Sequence, residues 1–201
     1  RIRGGHNFYQ IRLSDLPVSA PREEVDIIVA LDRESIMLHE AELKANGRII
    51  GDLATLKLQP EKKQFLDVPF ADLATKSGGS AIMANTVAIG AVLGMLGMEL
   101  AKLFEIITYT FAKKGEAIIQ ANKNAALAGY DFARKHCTQC SFSVPPGAGQ
   151  KLLIGGVESI AFGALASGCK FYSAYPMTPS TGIMNYLASK EKEYGMVVEQ
   201  A

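Results

Sequence analysis

The segment Tyr175-Pro176-Met177-Thr178-Pro179-Ser180-Thr181 holds the residues of this chain best suited to receive an anion. A Thr followed by a Pro at the first helical position is a strong helix start. Pro179 has no N–H to lose, and the Thr178 side chain can accept from Thr181 or a neighbouring amide. The spacing predicts a helix opening at Thr178, after a strand over residues 171–175 rich in β-forming aromatics. Free N–H groups of residues 180–182, the Thr178 hydroxyl and a helix dipole would then meet at the carboxyl end of a buried strand. Open α/β sheets bind ligands at that edge, and a carboxylate or phosphate would suit these donors. The same residues also read as a well-capped helix with nothing bound.

Other residues carry weaker chemistry. Gly155-Gly156 precedes a helical pattern and could cradle a phosphate, but it lacks the G-x-G-x-x-G spacing of a dinucleotide fingerprint and reads better as a tight strand-to-helix turn. Glu158, in the first turn after it, complements the dipole. Arg3 stands beside Gly4-Gly5, where a guanidinium could meet an anionic group bidentately, although an ordinary exposed Arg fits the same position. His6 follows that turn and could approach a ligand, while His39 reads as a surface or packed side chain. Cys137-x-x-Cys140 beside His136 would supply half of a zinc or iron–sulfur set. The other cysteine, Cys169, falls in a different predicted domain, so this motif reads as two reduced thiols in a linker.

Alternating and apolar runs predict strands over residues 8–13, 25–31, 48–50, 56–58, 65–68, 151–154 and 196–201. Helical spacing is expected over residues 33–45, closed by Asn46-Gly47, and over 70–76, 81–98, 99–113, 116–135 and 157–167, the last stopped by Gly168. The helix over 81–98 is apolar all round, as in a core, and Gly90, Gly94 and Gly97 suggest close backbone approach. Pro145-Pro146-Gly147 lies within the one segment of linker composition. The expected organisation is a first domain over 1–140, a linker over 141–150 and a second domain over 151–201.

With 201 residues, 48% hydrophobic and 20% charged, the chain can bury a core. A formal net charge of +1, from 21 basic and 20 acidic residues, points to no nucleic-acid partner. The most lipid-like run, residues 87–98, is far short of the roughly 20 apolar residues a membrane span needs. Three cysteines and no signal sequence lead to the expectation of a reducing, cytoplasmic location with no membrane partner. The absence of an initiator Met, and an apolar strand cut at residue 201, suggest an internal fragment.

The segment 163–172, GALASGCKFY, followed by Tyr175-Pro176-Met177-Thr178-Pro179, resembles the opening of the alpha region of the 2-oxoacid:ferredoxin oxidoreductases. Arg3-Gly4-Gly5-His6, the strand through Arg12, the strand over 26–31 and the helix from Asn85 to Gly94 resemble the gamma region of the same enzymes, which some members carry fused ahead of alpha. The fold this resemblance implies is α/β, a partial Rossmann-like gamma domain followed by the start of a thiamine-diphosphate-fold domain of the pyrimidine type. It implies an enzyme that decarboxylates a 2-oxoacid oxidatively, with 2-oxoglutarate a candidate, forms an acyl-coenzyme A and passes electrons to ferredoxin. Thiamine diphosphate with magnesium and an iron–sulfur cluster are implied for the full complex. A beta subunit would be the partner holding most of those groups, so this chain alone would be inactive.

By position, Thr178 would bind the substrate carboxylate, Tyr175 and Pro176 would shape the pocket wall, and Ser180 and Thr181 would offer amides or hydroxyls. Glu199 would neighbour the cofactor site, the activating Glu falling just beyond Ala201, and Glu158 keeps a Glu of the family. Val157 stands where the family usually has Asn. No catalytic residue and no metal ligand are assigned within the chain. Two rival readings are a nucleotide-binding α/β module and a non-catalytic assembly domain of a multi-subunit complex.

Overall fold

Four of the six residues in Val25–Ala30 are β-branched, and the run forms strand β1. The computed structural model describes residues 5–59, 64–137, 140, 142, 144 and 152–201. Its chain divides into two units, Arg1–Pro145 and Pro146–Ala201.

In the first unit β1 leads through Asp32 into helix α1 (Arg33–His39), a 3-10 turn (Glu40–Glu42) and strand β2 (Leu43–Gly51). Helix α2 (Leu53–Leu56), strand β3 (Phe65–Asp67) and helix α3 (Phe70–Lys76) follow, then helices α4 (Ala84–Leu96), α5 (Ala101–Phe111) and α6 (Glu116–His136). The strands pair in the order β1-β2-β3, all parallel, with Ile28 opposite Ile49 and Ile50 opposite Leu66.

Successive residues of a strand face opposite sides, so the central strand feeds two cores. Ile49 packs with Ile28, Ile36 and Leu56 on one side. Ile50 packs with Val68, Phe70, Val87 and Ala91 on the other. This is the Rossmann-like arrangement, a parallel sheet covered on both faces.

Two carboxylates hold helix starts at the carboxyl ends of the strands. Asp52, 6% exposed, accepts from the Thr55 N–H at 3.0 Å and, through its other oxygen, from the Ala71 N–H at 3.4 Å. Asp32 accepts from the Ser35 N–H at 2.7 Å and from the Ser35 hydroxyl at 2.9 Å. The backbone bond first, then the hydroxyl, hold the Asp32 carboxyl below its ordinary value. A depressed folded value means that Asp32 stabilises the fold above its unfolded pKa of about 3.9, and that this contribution is lost as pH falls through the folded value. Asp32→Asn keeps a capping oxygen but cannot titrate. Urea midpoints followed from pH 5 downwards are therefore expected to fall less steeply for the variant than for the wild type.

Several expectations are corrected. Residues 8–13 form no strand. Phe8, Ile11 and Leu13 are 70%, 73% and 60% exposed, and among the described residues no strand pairs with them. The helix expected to Ala45 ends at His39, and Asn46-Gly47 lies inside β2. A Cβ at Gly47 would come within 3.0 Å of the Asp26 carbonyl oxygen, so this glycine serves the close β1–β2 approach. Leu56 closes a helix capped by Asp52 and does not open a strand. The long helix is α4 preceded by a 3-10 turn (Ala81–Met83), and Gly97, at φ +67°, is its left-handed cap. Cys137 and Cys140 are brought together, their Cα atoms 5.3 Å apart, and do not stand as separate linker thiols. Most of the expected linker lies outside the described residues.

The second unit contains helix α7 (Gly156–Ala166), strand β4 (Phe171–Ala174), helix α8 (Ser180–Tyr194) and strand β5 (Val197–Gln200). Gly168, at φ +80°, ends α7, with its N–H and that of Cys169 donating to the carbonyls of Leu165 and Ala164. β4 and β5 are parallel, Ser173 opposite Glu199. Ala161, Leu165, Leu187 and Met196 form the core beneath them. The pair is covered on one face, and Phe171 and Val197 on the other are 61% and 51% exposed, so β4 is not the buried strand expected. No strand forms over residues 152–154, where Leu153 is fully exposed.

Candidate functional site

The segment after β4 keeps the position that its sequence suggested and changes the way it is built. The Thr178–Pro179 peptide is cis, and α8 starts at Ser180 with Pro179 as its N-cap and no side-chain capping bond. Thr178 is therefore not the cap. Its side chain is exposed, and its hydroxyl has no partner among the described residues.

The neighbouring groups are committed to shaping the loop. The Ser180 hydroxyl lies 2.7 Å from the Met177 carbonyl oxygen and 3.1 Å from that of Tyr175, donating to them. The Thr181 N–H donates to the Met177 carbonyl at 3.2 Å, and the Met177 N–H to that of Tyr175 at 2.8 Å. One of the three amides expected to be free is thus occupied, and the first-turn amides of Ser180 and Gly182 remain as donors. The Ala201 N–H donates to the Ala174 carbonyl at 3.0 Å, so the loop leaves the sheet beside the end of β5.

The start of α7 meets the same edge. A Cβ at Gly182 would lie 3.2 Å from both Val157 methyls, so the first turn of α8 rests on an apolar side chain and glycine is what permits the approach. Val157 makes a packing contact there. Glu158 curls back over the α7 N-cap, its carboxylate 2.5 Å from where a Gly155 Cβ would stand, which suits the role of dipole complement. Glu199 is exposed on β5. Tyr175 is 68% exposed and Pro176 is exposed, so within this unit they enclose no pocket.

Arg3 lies outside the described residues. His6 and His39 are brought together, Nε2 to Nε2 at 3.0 Å, and His39 Nδ1 lies 2.8 Å from Glu42 Oε1. The Glu three residues after His39 was the only sign of this chain of bonds in the sequence. A cleft of about 230 Å³ opens at the carboxyl ends of β1 and β2, lined by Ala30, Leu31, Asp52, Phe70 and Asn85 among others. Its one buried carboxylate, Asp52, is already engaged as a cap. Among the described residues no group of three or more His, Cys, Asp or Glu could hold a metal ion, and no helix is long and apolar enough to cross a membrane.

Comparison with known proteins is consistent along the chain. The family profile for pyruvate ferredoxin/flavodoxin oxidoreductase matches residues 1–132. The 2-oxoacid:ferredoxin oxidoreductase 2 alpha subunit of Aeropyrum pernix is 24% identical over 227 residues, covering 90% of this chain and 35% of that protein. The corresponding alpha subunit of Saccharolobus solfataricus is 21% identical over 90% of this chain and 34% of its own length. The chain therefore spans about a third of the length of these curated relatives. The 2-oxoglutarate synthase subunit KorC of Archaeoglobus fulgidus is 25% identical over 134 residues, 66% of this chain and 67% of that one. A solved structure, the 2-oxoglutarate:ferredoxin oxidoreductase from Magnetococcus marinus with 2-oxoglutarate, coenzyme A and succinyl-CoA bound, shares the fold at a TM-score of 0.75, with 24% identity over 88% of this chain and 32% of that chain.

Proposed function

The chain belongs to the pyruvate ferredoxin/flavodoxin oxidoreductase family, and from that premise we propose that it is the gamma region and the start of the alpha region of a 2-oxoacid:ferredoxin oxidoreductase. The full enzyme would decarboxylate a 2-oxoacid, transfer the acyl group to coenzyme A and deliver the two electrons to ferredoxin. Similarity to alpha subunits runs through 90% of the chain, whereas similarity to the KorC subunit covers two thirds of it, a pattern that supports a gamma-like unit fused ahead of an alpha-like one.

The observation that carries the reading is the Thr178 hydroxyl, exposed and without a partner among the described residues, on a loop that Ser180 pins from behind. A hydroxyl not spent on capping can donate to a carboxylate, and a charge-assisted bond of this kind is among the stronger ones a neutral side chain makes. The first-turn amides of Ser180 and Gly182 and the helix dipole favour the same negative charge. Tyr175 and Pro176 would become a pocket wall when another region or subunit covers them, and Glu199 would stand near the cofactor. Thiamine diphosphate, when bound, would supply the carbanion stabilisation that decarboxylation requires. Holding the substrate carboxylate would fall to this chain's loop.

The test is to co-express the full-length parent with its beta subunit and follow reduction of a viologen dye. Reduction is expected only with coenzyme A and a 2-oxoacid together, 2-oxoglutarate being the first to try. A complex that reduces the dye with no 2-oxoacid overturns the reading. So does a chain that binds NAD or ATP tightly in a complex with no turnover.

A further inference from the structure

We propose that Cys137 and Cys140 are a reversible dithiol–disulfide pair, a modification site that exchanges with anionic, glutathione-type disulfides. The argument begins with the backbone. Cys137 caps α6, its N–H donating to the Ala133 carbonyl at 2.8 Å, and the chain then turns so that the Cys140 N–H donates to the Cys137 carbonyl at 3.2 Å. That turn holds the two Cα atoms 5.3 Å apart, inside the roughly 4.4–6.8 Å that a disulfide spans without backbone movement. These backbone hydrogen bonds do not involve the sulfurs, and they hold the pair within bridging distance.

Burial supports exchange over permanence. Both side chains are half-buried and pack against the core cluster that contains Ala133, so they are held in place yet open to a small reagent. Closing so short a loop removes little entropy from the unfolded chain, and a bond here contributes little as a staple. Arg134, Lys135 and His136 occupy the last turn of α6. His136 is bonded to the Phe132 carbonyl at 2.8 Å, and Arg134 and Lys135, exposed in the same turn, give this end of α6 a positive charge that favours an anionic disulfide. The pair follows α6, the last helix described in the first unit.

The exchange balances. One cysteine thiolate attacks the small-molecule disulfide, forming a mixed disulfide and expelling one thiolate of the reagent. The second cysteine attacks the protein sulfur of that mixed bond, closing Cys137–Cys140 and expelling the other. Two electrons pass from the pair to the reagent, and the two thiol protons end on its two thiol products. A reducing thiol runs the sequence backwards.

The full-length parent with its partner subunit would be equilibrated with glutathione and glutathione disulfide at stepped ratios, quenched with a maleimide and read by peptide mass. Cys137 and Cys140 are expected to leave the labelled pool together, losing two hydrogens and gaining no glutathione. Free Cys169 in the other unit reports reagent access in the same sample. Cys137→Ser is expected to trap a stable glutathione adduct on Cys140. Stable adducts on either cysteine of the wild-type chain would overturn the proposal, as would full labelling at every ratio, or protection that a chelator lifts and a reducing thiol does not. The wild-type readout stands even if the variant fails to fold.

Discussion

Gly90→Ala is expected to destabilise the first unit by about 2–4 kcal/mol, the scale of severe core overpacking. Helices α4 and α6 touch through backbone. A Cβ at Gly90 would overlap the Ala126 carbonyl, one at Gly129 would overlap that of Val87, and one at Gly94 would lie 2.6 Å from the Tyr130 carbonyl oxygen. None of these oxygens can rotate aside, so the helices must separate, and Val87, Ala91, Ala125 and Ala126, all fully buried, lose their packing. The roughly 1 kcal/mol that alanine gains over glycine in helix propensity offsets only part of this. Gly163→Ala provides the control, because Gly163 lies within α7 and nothing stands within 4 Å of its added Cβ. There the same exchange should stabilise, by about 0.5–1 kcal/mol. Amide exchange separates the two results within one chain. Protection should fall along α4 and α6 in the first variant and rise along α7 in the second; equal, small shifts in both would show that the glycines do not set the α4–α6 distance.

The parts of the fold legible in the sequence are those where a local signal and the packing agree. Residues 25–31 are apolar at every position but Asp26 and branched at four, and the strand they form has both neighbouring faces to fill. Residues 70–76 and 116–135 carry helical spacing between strong breakers, and both elements appear within a residue of expectation. The failures have a common cause. Residues 8–13 alternate as a strand should, but alternation describes a face and cannot supply a neighbour, and no strand pairs with this one among the described residues. Asn46-Gly47 is a turn signal by composition. In β2 the glycine instead serves the contact with β1, which involves residues some twenty positions away and leaves no local trace.

The candidate site shows the same division on a smaller scale. Its location, a loop between a strand and a helix, followed from Pro176, Pro179 and the aromatics before them. The assignment of hydrogen bonds did not. Several hydroxyls stand within a few residues of the helix start, and the sequence cannot say which one turns to the loop. In the structure Ser180 does, through the carbonyls of Met177 and Tyr175, so Thr178 is released from the capping role that its position suggested. The pairing of His6 with His39 was out of reach for a related reason, since nothing local couples residues 33 positions apart.

Thr178→Val in the full-length parent with its partner subunit is expected to raise KM for the 2-oxoacid by about 10- to 150-fold, the equivalent of roughly 1.5–3 kcal/mol for a lost bond to a charged group. Because the Thr178 hydroxyl caps nothing, the thermal midpoint should not move, and kcat should fall much less than kcat/KM if the bond is made equally in the ground and transition states. Ser180→Ala is the contrasting case. Its hydroxyl holds the loop at the carbonyls of Tyr175 and Met177, so its loss should loosen the loop and lower both kcat and thermal stability. The two variants thus separate a residue that holds substrate from one that shapes the holder. If Thr178→Val leaves KM unchanged while Ser180→Ala lowers turnover, the loop still belongs to the active site and the carboxylate is held by the amides of Ser180 and Gly182. If neither changes the kinetics, the 2-oxoacid binds elsewhere and this loop serves only to start α8.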